Sequence, residues 1–340
     1  MPLKDYCIKK RQLKMSKNKQ KYIKVKTEGV FNLNLTAEEF NLTTLELVSF
    51  HNQYCTIHEL LPLSLPKYVE YIYLPVENFI ERDQKLLKSV NVVKPEVISE
   101  KTYGVVVNFL PKELSIHYKI KVTRTGKVLE LNKYKTYVNN LEIDQTVEQL
   151  FEKAEQVLYP LQMSLTGDGG LNKILNGKEI GDRWKKDCLP DLKDYYQSET
   201  SDKILHQLDK AFANVDAKKE LLVRNTFYKL YFLPIYQNYP TFLKDDLLEI
   251  YFSSIGQAVS YKIVYELQKE FTRGKKIGLR IKGIEEESLF NKGQELGEID
   301  LLYKLDKETK EVYSITGLIS SFERNERHQI DFQLYELNNS

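Results

Sequence analysis

Apolar residues change period several times along the chain, and each change marks a predicted element. Tyr22–Val25 alternates as a short strand does. The stretch that follows, TEGVFNLNLTAEEFNL, sustains no single period and fits a hairpin insertion or an irregular loop. Helical spacing then begins at TTLELVSFHNQYC, where Leu47, Phe50 and Tyr54 recur on one face with Val48 beside them. Thr43 or Thr44 is placed to cap it, and Glu46 lies in the first turn, where free amide groups favour an acid. A second short helix is predicted at TIHELL, since Thr56 and Glu59 have capping-box spacing and Pro62 and Pro66 stop the run. Alternation returns in Val69–Pro75, with Val69, Tyr71 and Tyr73 on one face and Ile72 and Leu74 on the other.

Beyond a polar connector the pattern belongs to a larger body. YGVVVNF reads as a strand, SIHYKIKVTRTGKVLELNKY as a hairpin turning at Thr125-Gly126, and TYVNNLEI as a further strand. The strongest helix carries Val147, Leu150, Phe151, Ala154, Val157 and Leu158 and ends at Pro160. LQMSL and LNKIL flank the turn at Gly167–Gly170, where glycine beside Asp168 meets the positive φ of such turns; neither a calcium loop nor a phosphate loop has this spacing. Helices follow at 178–196, with Pro190 a break point, at KILHQLDKAFANV, and at KKELLVRNTFYKLYFLPIY, which reads as one helix. The tail returns to strands at YKIVYEL, KIGLRIKG, EIDLLYKL, EVYSITGLIS and HQIDFQLYEL. Strands bracketing a helical centre predict an α+β fold with antiparallel strands rather than βαβ units. YKIKVTRTGKV and YKLDKETKEV look alike as hairpins, a faint sign of duplicated sheet halves. The resulting division is a basic arm over 1–19, a β-α-α-β module over 20–76, a connector over 77–100 and the body over 101–340.

Within the module, Thr44, Leu45, Val48, Tyr54, Thr56, Leu60 and the closing Leu74-Pro75 resemble the pattern of a LysM module. Three features depart from it: the residues after the second helix (PLSLP), the turn before the last strand (PKYVE), and the insertion after the first strand. The resemblance implies binding through Thr44, Leu45, Ser64, Lys67, Tyr68, Tyr71 and Tyr73. It implies one of two partners, either an N-acetylglucosamine-containing glycan of peptidoglycan or chitin type, or a protein assembly such as a phage-tail or contractile-injection baseplate. The departures fall on the glycan-contacting loops, so docking as an adaptor or scaffold is the leading expectation.

Charge adds an asymmetry. Residues 1–27 hold ten Lys or Arg against Asp5, a charge of +9, so the other 313 residues carry −7 to reach the total of +2. Such an arm suits a solvated leader, a protein contact or phosphates. Only Tyr6 and Tyr22 are interleaved with it as stacking aromatics, which weakens the nucleic-acid reading. The 23 Tyr and 15 Phe fit half-buried strands and contact surfaces. The first twenty residues contain no apolar segment of signal-peptide type and no run approaches a membrane span, so synthesis in the cytoplasm is expected, with release in a particle as one route outward.

Candidate chemistry is sparse. Cys7, Cys55 and Cys188 lack CxxC spacing, and Cys55 and Cys188 read as small buried hydrophobes. The histidines at 51, 58, 117, 206 and 328 are dispersed. Trp184 reads as a core anchor, and Glu285, Glu286, Glu287, Glu295, Glu298 and Asp300 as a solvated acidic face. No local nucleophile, metal or nucleotide motif is present, so the expectation is a non-catalytic protein without metal or cofactor. An enzyme with an unadvertised site is the remaining alternative.

Overall fold

A computed structural model describes residues 21–27, 33–40, 42–56, 59–61, 69–77, 87–96, 98–143, 145–272, 274–287, 291 and 293–337. The chain divides into two compact units, Met1–Leu86 and Leu87–Ser340. Both helices and strands are present, and the class is α+β. No described helix is long and apolar enough to cross a membrane.

In the first unit, β1 (Tyr22–Lys26) pairs antiparallel with β2 (Tyr71–Pro75), Tyr22 opposite Pro75 and Lys26 opposite Tyr71. Between them in the chain lie α1 (Leu33–Glu39) and α2 (Thr44–Tyr54). Thr43 is the cap of α2: its Oγ1 accepts the Glu46 amide at 3.2 Å, and its own amide donates to Glu46 Oε2 at 2.7 Å. The core joins Leu33, Ala37 and Phe40 to Leu47, Ile72 and Leu74. One expectation needs correcting. The insertion read as irregular contains α1, because Leu33, Ala37 and Phe40 share a helical face despite the strand-like alternation of FNLNL. Where the second helix is expected, at TIHELL, the Glu59 amide donates to the Thr56 carbonyl at 2.9 Å; residues 57 and 58 lie outside the described ones.

The second unit is built on one open antiparallel sheet. Its strands are β3 (Ser99–Leu110), β4 (Leu114–Thr125), β5 (Val128–Val138), β6 (Leu141–Glu142), β7 (Leu161–Leu165), β8 (Leu171–Ile174), β9 (Leu243–Phe252), β10 (Gln257–Leu267), β11 (Ile277–Glu285), β12 (Glu298–Leu305), β13 (Val312–Glu323) and β14 (Glu326–Leu337). The order is β8-β7-β5-β4-β3-β14-β13-β12-β11-β10-β9, with β6 paired to β5. Two meanders therefore meet where the last strand pairs with the body's first, Phe332 opposite Val107. Asn139-Asn140 and Arg324-Asn325 turn their hairpins with positive φ at both residues. Residues of the predicted connector join this unit: Val92 is buried, and the Val92 amide donates to the Gln237 carbonyl at 3.0 Å.

The sheet curls. The Tyr261 hydroxyl on β10 donates to the Ser320 carbonyl on β13 at 2.7 Å. In a flat sheet those strands would stand about 14 Å apart, three inter-strand spacings. Gly317 permits close packing within the curl: its φ is +155°, and a Cβ there would collide with the Asp300 carbonyl. The concave face carries Ile299, Leu301, Tyr303 and Leu305, and the Tyr303 hydroxyl donates to the Leu230 carbonyl at 2.8 Å.

The segment between β5 and β9 supplies the helices that pack against this core: α3 (Thr146–Gln156), α4 (Gly177–Arg183), α5 (Leu189–Tyr195), α6 (Glu199–Phe212), α7 (Lys219–Leu222) and α8 (Thr226–Tyr231). A π-helical turn, Trp184–Cys188, links α4 to α5 just before Pro190. Trp184 is fully buried, stacked on Phe212 at 4.5 Å, with its Nε1 donating to Asp209 at 3.0 Å. The segment from Lys218 read as one helix is two, because the Asn225 side chain accepts the Phe227 amide at 2.9 Å and starts α8 afresh. Cys55 and Cys188 are half-buried, not core residues as expected.

Candidate functional site

Polar groups gather in two regions, one in each unit. In the first, the four predicted binding residues that are described, Thr44, Leu45, Tyr71 and Tyr73, do not form one cluster. Thr44 and Leu45 open α2, where Thr44 Oγ1 donates to Asn34 Oδ1 of α1 at 2.7 Å. Leu45 and Leu35, neighbours in sequence of that linked pair, are 69% and 62% exposed. Tyr71 and Tyr73 lie on β2, and Tyr73 meets the other end of α2. His51, which touches Tyr73, is seven residues beyond Thr44, about 10 Å along a helix. Tyr73 is buried, its ring 5.1 Å from Tyr22 and 5.4 Å from His51. The Tyr71 ring carries the Lys24 ammonium at 4.2 Å. Ser64, Lys67 and Tyr68 lie outside the described residues.

His51 is the polar centre of this unit. Its Nδ1 accepts the Tyr73 amide at 3.1 Å, so Nε2 carries the proton and donates to the Glu59 carbonyl at 2.8 Å. A neutral ring thus ties α2 to β2 and to the turn between them. Burial pushes the His51 pKa down, against an opposing pull from Glu59. Asn52 adds a second clamp, donating to the Leu61 carbonyl at 2.9 Å and accepting its amide at 2.7 Å.

In the second unit, a cavity of about 740 Å³ lies between β3–β5, the end of β9, and helices α3, α6, α7 and α8. Val107, Ile116, Leu158, Leu208 and Phe212 give it apolar walls. Of the four apolar residues of α3 that periodicity assigns inward, Val147 and Phe151 remain 51% and 48% exposed, and Phe151 lines the cavity. Polar groups gather on one side. Lys133 pairs with Glu155 at 2.6 Å and lies over the Tyr118 ring at 4.3 Å. Glu152 accepts the Thr136 amide at 3.1 Å, while Thr136 Oγ1 is buried without a hydrogen-bond partner. The Tyr228 and Tyr159 hydroxyls meet at 2.8 Å. Burial pushes the pKa of Tyr118, Tyr159 and Tyr228 upward, so all three stay protonated. No sequence motif marks this cavity, because its lining is drawn from residues 107 to 253.

The remaining sequence candidates have structural surroundings. Glu285 is buried, correcting its place in a solvated face: it accepts Asn291 Nδ2 at 2.8 Å, the Gly297 amide at 3.0 Å and Ser321 Oγ at 2.9 Å. Asp300 is held by Arg280 in a bidentate pair. Asp168 accepts the Gly170 amide at 3.2 Å, closing its own turn. A buried charge cluster links β3, β4 and β14, with Lys101 2.7 Å from Glu336 and 3.6 Å from Glu311, and Arg124 3.9 Å from Glu311. Compared with known proteins, the chain matches no protein-family model and no curated sequence.

Proposed function

We propose that this chain is a non-catalytic adaptor whose first unit is a LysM-like module that docks a protein assembly. The observation that carries the choice of partner is the state of the tyrosine faces. Sugar rings bind by stacking on open aromatic faces, yet Tyr73 is buried and Tyr71 lies under Lys24. Accessible apolar surface is found instead at Leu35 and Leu45, each next in sequence to a partner of the Asn34–Thr44 hydrogen bond, and at Leu60. Aliphatic side chains of this kind suit a protein partner. The β-α-α-β order and the antiparallel closing strands are consistent with the resemblance, although α1 precedes the expected helix instead of following it.

A photo-crosslinking residue at Leu45, introduced in the full chain and activated in cells, is expected to give one discrete protein adduct. The same residue at exposed Tyr195 of the body serves as the control. Calorimetric titration with chitohexaose or a muropeptide is expected to give no saturable heat. Saturable glycan binding, with no adduct at Leu45, replaces the docking reading by the glycan-binding one.

A further inference from the structure

The body cavity has no part in the docking reading, and its chemistry points to a ligand of its own. Its volume of about 740 Å³ falls within the roughly 300–1,000 Å³ of small-molecule sites. The apolar stripe of α3 is covered at Leu150 and Ala154 and left open at Val147 and Phe151. Leu221 of α7, also lining the cavity, is 47% exposed. An apolar body lying between α3 and α7 would cover surface that the chain leaves wet, a gain of about 25 cal/mol per Å².

The charges decide which apolar molecule fits. Five ionisable residues line the cavity with formal charge: Glu148, Glu152 and Glu155 against Lys133 and Arg224, a balance of −1. Lys133 and Glu155 already neutralise each other at 2.6 Å, and Glu152 is engaged by the Thr136 amide. An acidic head group would face net repulsion here, and either charged head would have to leave water. Thr136 Oγ1 is buried away from the cavity and offers a head group nothing to bond.

We infer that the body binds an uncharged single-chain lipophile, its chain against α3, α6 and α7. The inference stands or falls independently of what the first unit docks.

The test uses the full chain and the neutral dye Nile red, displaced by 1-dodecanol, dodecylamine or laurate below their aggregation concentrations. Saturable one-site dye uptake is expected, with dodecanol displacing at concentrations at least tenfold lower than laurate and dodecylamine between them. Ala211→Trp, which puts a ring into the cavity from α6, is expected to abolish uptake. Should that variant fail to fold, Phe151→Glu is the second probe: at a lining position already 48% exposed it keeps the fold, and it is expected to weaken dye uptake at least tenfold. Laurate displacing as well as dodecanol overturns the uncharged class. Absence of saturable uptake, or uptake lost as the chain self-associates, overturns the cavity as a lipophile site.

Discussion

The two units solve the same problem at different scales. Among the described residues, the first gathers nine buried apolar side chains around a two-stranded sheet, while the second packs a sheet of twelve strands and six helices around one core. A small core has little apolar area to spend on stability, so single polar links matter more in it. In the first unit His51 alone joins three segments. In the body, comparable polar links such as Glu285 with its three donors are embedded in a sheet that would persist around them. The lesson is that polar substitutions of equal local cost should unfold the first unit and only weaken the second.

The largest effect is expected in the body, where packing carries the stability. Trp184→Ala removes the largest fully buried side chain and leaves Asp209 without its indole donor. A loss of roughly 3–5 kcal/mol follows from the cavity, read as a lower denaturant midpoint by circular dichroism. Amide protection in residues 44–54 should stay unchanged if the units unfold separately; a parallel loss there would join them into one cooperative system.

His51→Ala tests the other side. It strands the Tyr73 amide and the Glu59 carbonyl, a cost of about 2–4 kcal/mol at the usual penalty for buried unsatisfied groups. Because Trp184 is the chain's one tryptophan, its fluorescence follows the body alone. Protection of α2 should collapse while the Trp184 transition stays in place. The wild type should show a milder form of this with acid. His51 is neutral in both states above its unfolded pKa near 6.5, and burial holds the folded value lower. As pH falls below about 6.5, the unfolded chain gains a proton that the folded ring refuses, so stability declines until the folded pKa is passed. Exchange rates in α2 divided by their intrinsic values that rise between neutral pH and pH 5, and that lose this slope in His51→Gln, check the sign.

Much of the body is legible in the sequence because one face of its sheet is buried: Ile299, Leu301, Tyr303 and Leu305 alternate cleanly and all point inward. Strand β9 was missed for the opposite reason. It is an edge, and Lys244, Asp245 and Asp246 occupy its first half, charges that discourage further pairing but erase the alternation. Helix α1 spans only seven residues, too few for its period to outweigh the alternating FNLNL. The cavity is illegible because its walls meet only in the fold, and Phe151 holds the one sequence trace of it. That residue belongs to a helical stripe, shared with exposed Val147, that assumes a partner surface the fold withholds.

Smaller effects sharpen the comparison. Thr43→Ala removes one half of the α2 capping box and should cost about 1 kcal/mol, visible as reduced α2 protection at constant Trp184 midpoint. Arg280→Gln should do least. Its guanidinium holds Asp300 on the outer face of β11 and β12, where the two side chains are 40% and 47% exposed. The pair lowers the Asp300 pKa, but water and salt screen such exposed ions, and double-mutant values for them are about 0.2–1 kcal/mol. The strands beneath are already fixed by Ile281 opposite Leu301, both fully buried. The Trp184 midpoint should therefore shift slightly at low salt and not measurably at high salt. A loss above about 2 kcal/mol that persists in salt would mean that the outer face of the sheet is not merely solvated, and that the pair fixes strand register in a body here attributed to its concave core.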